Sequence, residues 1–453
     1  MTARAPSLTE ALAVQLLRPV DTAARQRAAA LVADWLGCAL GALRSPLAGQ
    51  LTALVATLPG GEATALGAGR RDPASALLIN AALGNVLEMD DVHRGAILHA
   101  GPVVIPVALA AAESADATPQ QFLDAVVRGY EATIRIGRAL GRGHYRYWHP
   151  TSTAGAFGAT TAASSILGLD ANALADALGT AGSRTGGLWQ MRHEPVPTKS
   201  IHNAEAARSG LLAAQLAAAG LRGPRRILEG EQGLFAATAP DAQPEMVLAD
   251  APDWLIHTTS LKPWPACRHA HPAIDAMRDA LRQAGGLPVE AFVSIHVSTY
   301  AEALRFCDRP EPTTELEAKF SLQHAVAAIA CLGRPELAHY LSATIQDPAV
   351  RAMRERVTVS EDEAASARFP DHYGATVTVA LADGRRLHAS RVDAWGDPEC
   401  PMPEAAIASK ALALAEWGGV SKPVATRLFD AVRELPTALS LQPLQAALAG
   451  LDA

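Results

Sequence analysis

Residues 88–99 read "EMDDVHRGAILH" and crowd five ionisable side chains, Glu88, Asp90, Asp91, His93 and His99. Carboxylates and imidazoles at this density suit proton transfer near neutral pH. A helix pattern opened by Asp72-Pro73 runs straight into them. The C-terminal end of a helix carries partial negative charge and disfavours anions. Three acids there break a local rule, and such breaks point to functional sites. Two plainer readings stand beside this one. The first is a solvated loop after a helix. The second is a divalent-metal site using Asp91 and His93. Nothing elsewhere in the chain completes a ligand set, so no metal is expected.

Three further stretches carry chemistry. "GHYRYWHPTSTAG", 143–155, gathers His144, Tyr145, Tyr147, Trp148 and His149 in a chain with only 5% aromatic residues. It falls between two helix patterns, where binding loops sit; an aromatic plug over a helical core is the alternative. "VPTKSIHNAEAARSG", 196–210, sets Lys199 and His202 before a small-residue helix, and "SLKPWPACRHAHP", 260–272, holds Lys262, Arg268, His269 and His271. Lysine is scarce: only Lys199, Lys262, Lys319, Lys410 and Lys422 among 39 basic residues. Codon bias is one explanation. The other is work that arginine does badly, a compact charge or an amine that releases its proton. Together the stretches suggest a cationic pocket with acids and imidazoles, suited to a small polycarboxylate. They also suit proton abstraction next to a carboxylate, which needs a positioned base, a tuned acid and positive charge facing the enolate oxygens.

The elements that must position these groups are mostly helical. Ser7 with Glu10, and Thr118 with Gln121, form capping-box patterns. Apolar residues from Leu31 to Leu43 follow helical spacing after Asp21. "GATTAASSILGLD" and "AEAARSGLLAAQLAAAG" are rich in small residues that let helices approach closely. From about residue 265 the pattern changes. "AFVSIHVSTY", "RVTVS", "ATVTVAL" and "RRLHASRV" alternate as strands do, and Asp383-Gly384 reads as a hairpin turn. Helix periodicity returns at Glu404. The expected fold is mainly α with an inserted α+β domain. A large all-helical domain takes residues 1–265 and 398–453, and a smaller α+β lid domain takes 266–397.

The chain has 453 residues, 49% hydrophobic and 19% charged, with a net charge of −7 and no basic block. Nucleic acid and anionic membrane are therefore not expected partners. The five cysteines are scattered with no CxxC pair, against a zinc ribbon or disulfide framework. "VVIPVALAAA" is too short to span a bilayer, and the first residues lack an apolar core before a cleavage site. A cytoplasmic location is expected.

The same stretches, in the same order, resemble the MmgE/PrpD family. That family includes 2-methylcitrate dehydratase, cis-aconitate decarboxylase and iminodisuccinate epimerase. "NAALGNVLEMDDVHRGAILHAGPVVIP" is similar to its "N…AHALDFDDTH…HPG…P" pattern, and "WHPTSTAGAFGATTAASSILGLD" to "HPT…G.FGAAAAA…LGLD". "TKSIHNAEAARSGLLAAQLAAAGLRGPRRILEGEQGLF", "LKPWPACRHAH", "AKFSLQHAVA" and "GDPECPM" complete the set. The chain departs from the pattern at Glu88, at Val92 and at Ala100 after His99.

The resemblance implies a helical domain, an α+β lid, a site between them, a homodimer and no metal or organic cofactor. Carried over motif by motif, it points to Asp90, His99, His149, Lys199 and Lys262. The reading that follows is a cofactor-free lyase of 2-methylcitrate dehydratase type acting on a small di- or tricarboxylate. His149 or Lys199 is the base, with Lys199 first. Lys199, Lys262 and His99 hold carboxylates and developing charge. Asp90 orients an imidazole or protonates the leaving hydroxyl, and Tyr145 or Tyr147 is the opposing acid. Glu88, Asp91, His93, His202 and Arg268 complete the substrate-binding set. An iminodisuccinate-type epimerase and a cis-aconitate-type decarboxylase are the alternatives, and a non-catalytic helical binding protein is a remote one.

Overall fold

Short polar side chains start the helices at the positions their types anticipate. In the computed structural model, which describes residues 5–194 and 196–451, the Asp21 carboxylate accepts from the Ala24 N–H and opens α1, Thr22–Gly41. Asp72 caps α2, Pro73–Leu83, through the Ala74 and Ser75 N–H groups. After α3, Gly101–Ala115, the Thr118–Gln121 capping box starts α4, Pro119–Ala139. α5, Gly155–Ile166, and α6, Thr198–Ala218, are the small-residue helices.

α6 packs on α5 and α2, and α5 packs on α4 and α3. The small residues make this possible. A methyl group on Gly158 would strike Thr133 and the Gly129 carbonyl, and one on Gly210 would strike Ala159. Helix backbones this close leave room only for hydrogen at those positions. The result holds the first turn of α6 against the connection between α2 and α3.

Residues up to Thr259 and those from Pro403 onward form one compact unit, and Ser260–Met402 form a second. In the first, the helix Glu404–Trp417 packs along α1. Its buried Lys410 ammonium donates to the Asp34 carboxylate and to the Met89 carbonyl, both at 2.6 Å. This helix therefore touches the backbone between Glu88 and Asp90.

The second unit contains a four-stranded sheet of β1, Phe292–Thr299, β2, Val357–Glu361, β3, Ala375–Leu381, and β4, Arg386–Arg391, in the order β2-β1-β3-β4. β1 and β2 are parallel, and the other two pairings are antiparallel. Gly384, at φ +86°, turns the β3–β4 hairpin. A register shift between Phe292 and Ser294 leaves Val293 and Ser294 both exposed, so the inward alternation restarts at Ile295. The helices His271–Ala284 and Leu322–Leu332 cover one face. The fold is thus mainly α with a small α+β portion. Among the described residues no single helix is long and apolar enough to cross a membrane.

Candidate active site

α2 ends at Leu83, so the acids of the 88–99 stretch lie beyond the helix rather than on its last turn. They do not form a solvated loop either. Glu88, Asp90 and Asp91 are only 5%, 1% and 3% exposed. The link from 84 to 100 is irregular and tightly folded, with Glu88 at φ +56° and Ile97 at φ +50°. Left-handed backbone at non-glycine residues is uncommon and persists where the surroundings impose it. His93 helps to impose it. Its backbone exchanges hydrogen bonds with Leu98, and its Nδ1 accepts from the Ala96 N–H at 3.0 Å. That leaves the proton on Nε2, which faces Thr258 Oγ1 at 3.0 Å. Burial, with Arg138 and Arg94 nearby, pushes His93 down to about 3. His93 is a neutral fastener of the link.

Asp90 and Asp91 are adjacent but face different partners. Asp91 accepts from the Gly101 N–H at the start of α3, at 3.0 Å, beside the Tyr130 hydroxyl. Burial first, then the charges of Asp90 and Asp34, push its carboxyl up to about 8. Asp91 and His93 therefore do not converge as metal ligands. Asp90 accepts from the Asn85 side-chain amide at 2.7 Å and sits 2.9 Å from His99 Nδ1. The same ring nitrogen is 2.7 Å from the Asp91 carbonyl. Both neighbours are acceptors, so Nδ1 carries the proton and the neutral ring keeps its lone pair on Nε2.

The second stretch joins this group through Thr151, whose hydroxyl accepts from the His99 N–H at 3.1 Å. His149 precedes the short helix Pro150–Thr153 and donates its backbone N–H to the Gly187 carbonyl at 2.9 Å. Its Nδ1 lies 3.2 Å from His202 Nδ1, so one ring donates and the other accepts. Burial, then the charges of Lys199, His202 and His99, hold His149 well below the ordinary histidine range, with Asp90 opposing. Burial lowers His202 as well. Both imidazoles are neutral at pH 7. Lys199, in the first turn of α6, forms an ion pair with Glu88.

The structure thus brings Glu88, Asp90, His99, His149, Lys199 and His202 into one cluster, drawn from three separate stretches. Tyr145 stands at its edge, packed edge-on against Trp189 with ring centroids 5.6 Å apart. Lys262 and Arg268 belong to the second unit. Lys262 is buried there. Arg268 pairs with Asp397 at 2.5 Å and donates to the Leu261 and Trp395 carbonyls, so its charge is matched within that unit.

Family models match nearly the whole chain. The MmgE/PrpD N-terminal domain matches residues 8–247, and the MmgE/PrpD C-terminal domain matches residues 264–432. The chain belongs to the MmgE/PrpD family. It is 25% identical over 417 residues to a cis-aconitate decarboxylase of Aspergillus terreus, covering 86% of this chain and 84% of that protein. A cis-aconitate decarboxylase-like protein of Aspergillus oryzae is 32% identical over 232 residues, about half of each chain at 48%. A 2-methylcitrate dehydratase of Cupriavidus necator is 26% identical over 239 residues, 50% of this chain and 49% of that protein. MmgE/PrpD relatives of both names are lyases acting on small carboxylates.

Three contributors to this MmgE/PrpD site escaped the sequence reading. Asn85 holds Asp90, and Lys410 holds the Met89 carbonyl. Trp189 packs against His149 with ring centroids 4.4 Å apart, and the Arg192 guanidinium lies over its indole. A tryptophan in an aromatic-poor chain was an available signal for the last. Asn85 and Lys410 carried none beyond the scarcity of lysine.

Proposed function

We propose that this chain is a lyase that moves one proton at a carbon next to a carboxylate of a small di- or tricarboxylate. The observation that carries the reading is the Asp90–His99 pair inside the cluster. A carboxylate on Nδ1 fixes the tautomer, presents the Nε2 lone pair and stabilises the imidazolium that forms when the ring takes a proton. The same ring, once charged, returns the proton. Neutral His149, coupled to His202, is a second imidazole for relay or hydrogen bonding, and Lys199 is the anchor for a substrate carboxylate.

Of the two lyase directions, loss of carbon dioxide is the better supported. It needs one proton donor for the carbanion-like carbon, a role His99 fills as the imidazolium, which takes a solvent proton on Nε2 beforehand and is left neutral once the carbon is protonated. Dehydration also needs an acid for the departing hydroxyl. Asp91 is the neutral carboxyl nearby, and it faces Gly101 and Tyr130 instead of His99. Relatives that span most of this chain carry the decarboxylase name. Dehydration of the 2-methylcitrate type is the second reading, favoured by the Cupriavidus relative. The family resemblance also supports a homodimer, which light scattering tests.

The experiment is a panel of acids with two to four carboxylates (citramalate with two, cis-aconitate, citrate and 2-methylcitrate with three, iminodisuccinate with four) in deuterated water, followed by proton NMR. Decarboxylation leaves one solvent deuteron on the product carbon, and dehydration leaves an olefin. At least one acid should turn over, and His99→Gln should lose about 100-fold or more, the low end for general acid–base catalysis. Full turnover by His99→Gln, or inertness toward every carboxylate, defeats the proposal.

A further inference from the structure

The peptide between Glu88 and Asp90 is gripped from outside the link that contains it. Lys410, on the helix Glu404–Trp417, is buried and donates to the Met89 carbonyl at 2.6 Å. Its charge is met by Asp34 on α1, also buried and also at 2.6 Å. One compact ammonium thus serves a carboxylate and a carbonyl at once, where a guanidinium would spread its donors over a plane. The residue before Met89 is Glu88, at φ +56°, a conformation that a non-glycine residue keeps only where its surroundings impose it. The two residues after Met89 supply both acceptors at His99 Nδ1, the Asp90 carboxylate at 2.9 Å and the Asp91 carbonyl at 2.7 Å. Release of the Met89 carbonyl lets the Glu88 backbone leave the left-handed region, and that rotation carries both acceptors away from the ring. Asn85 holds the Asp90 carboxylate, but it does not hold the peptide that aims the Asp91 carbonyl.

We propose that Lys410 is a positioning residue of the site: through the Met89 carbonyl it keeps the Asp90 carboxylate and the Asp91 carbonyl on His99 Nδ1, and so keeps the lone pair on Nε2. Asp34 is its counter-charge. The effect on turnover rests on the lyase reading, and the effect on the His99 ring does not.

Two full-length variants separate position from stability. Asp34→Asn removes the counter-charge and leaves the Lys410 donor, so it should lower stability in urea unfolding yet keep most of the turnover. Asp34→Leu combined with Lys410→Met removes both charges and the donor. Apolar replacement of a whole buried ion pair is often neutral or stabilising, so this variant should unfold near the parent's midpoint. It should nevertheless lose about 100-fold in kcat, the scale of a ~1 Å misplacement, with KM little changed. If it does not fold, Asp34→Asn combined with Lys410→Met, which stays closer to the native sizes, carries the same expectation for kcat. Nitrogen-15 NMR of histidine-labelled protein reads the ring without any substrate, with His99 assigned by its loss in His99→Gln. The neutral His99 ring should carry its proton on Nδ1 in the parent and in Asp34→Asn, and should exchange between both tautomers when Lys410 is Met. Turnover that follows stability through the variants, or a His99 ring unchanged without the Lys410 donor, overturns the proposal. If no carboxylate turns over, the lyase reading falls, and the ring spectra alone decide the role of Lys410.

Discussion

Asp91→Asn offers a perturbation whose sign and size follow from the structure. The Asp91 carboxyl goes from 3.8 to about 8, mainly through burial, with Asp90 and Asp34 adding to it. Between about pH 4 and pH 8 the unfolded chain has this group ionised while the folded protein keeps its proton. The folded state then binds more protons, so the stabilising contribution is full below pH 3.8 and is lost as pH rises through about 8. The slope approaches about 1.4 kcal/mol per pH unit, which amounts to about 4 kcal/mol from pH 5 to pH 8. Asparagine is nearly the same shape, is always neutral and can still accept from the Gly101 N–H. The variant should match the parent within about 1 kcal/mol at pH 5 and exceed it by several kcal/mol at pH 8. Urea unfolding at pH 5, 6, 7 and 8, followed by far-ultraviolet circular dichroism, gives the difference directly, because all other titrating groups are common to both proteins. Parallel stability curves, or a variant that loses ground as pH rises, refute the assignment of a neutral Asp91.

Lys410→Met removes one partner of a buried pair and strands Asp34, so it should destabilise the protein by about 3–5 kcal/mol; a loss under about 1 kcal/mol in urea unfolding contradicts this. Lys199→Arg should keep most of its turnover, because either cation can pair with Glu88 and a substrate carboxylate. Lys199→Met should raise KM about tenfold or more. The opposite pattern in steady-state kinetics, with Lys199→Arg inactive and binding normal, would restore Lys199 as the base. Turnover should survive exhaustive treatment with EDTA, as the resemblance to a cofactor-free family implies; activity lost to EDTA and restored by one divalent ion would reject that.

Helix starts were legible because their cause is local. Asp21, Asp72 and Thr118 cap through N–H groups two or three residues away, so sequence distance and spatial distance coincide. Strands were legible for a similar reason: Ile295, Val297 and Thr299 alternate inward whatever they pair with. The bulge at Phe292–Ser294 was not, since it arises from pairing with β3 across nearly ninety residues. The buried link from 84 to 100 also defied local reading. Its acids look like solvated loop residues until α6 and the helix Glu404–Trp417 close over them, supplying Lys199 to Glu88 and Lys410 to the Met89 carbonyl.

Residue types were the readable part of the site, and pairings were not. Lys199 suggested a base because lysine is rare and precedes a small-residue helix. Its partner is Glu88, 111 positions earlier, whose carboxylate is delivered by a backbone conformation that residue type does not announce. The same logic separates Asp90 from Asp91. One peptide unit apart, they diverge because Asn85 and His99 receive one carboxylate while Gly101 and Tyr130 receive the other. Asp90 is left to hold an imidazole, and Asp91, buried beside two other acids, keeps its proton. Giving two adjacent carboxyls different partners lets one of them stay neutral, which in the proposed lyase site limits the negative charge that would repel an acidic substrate.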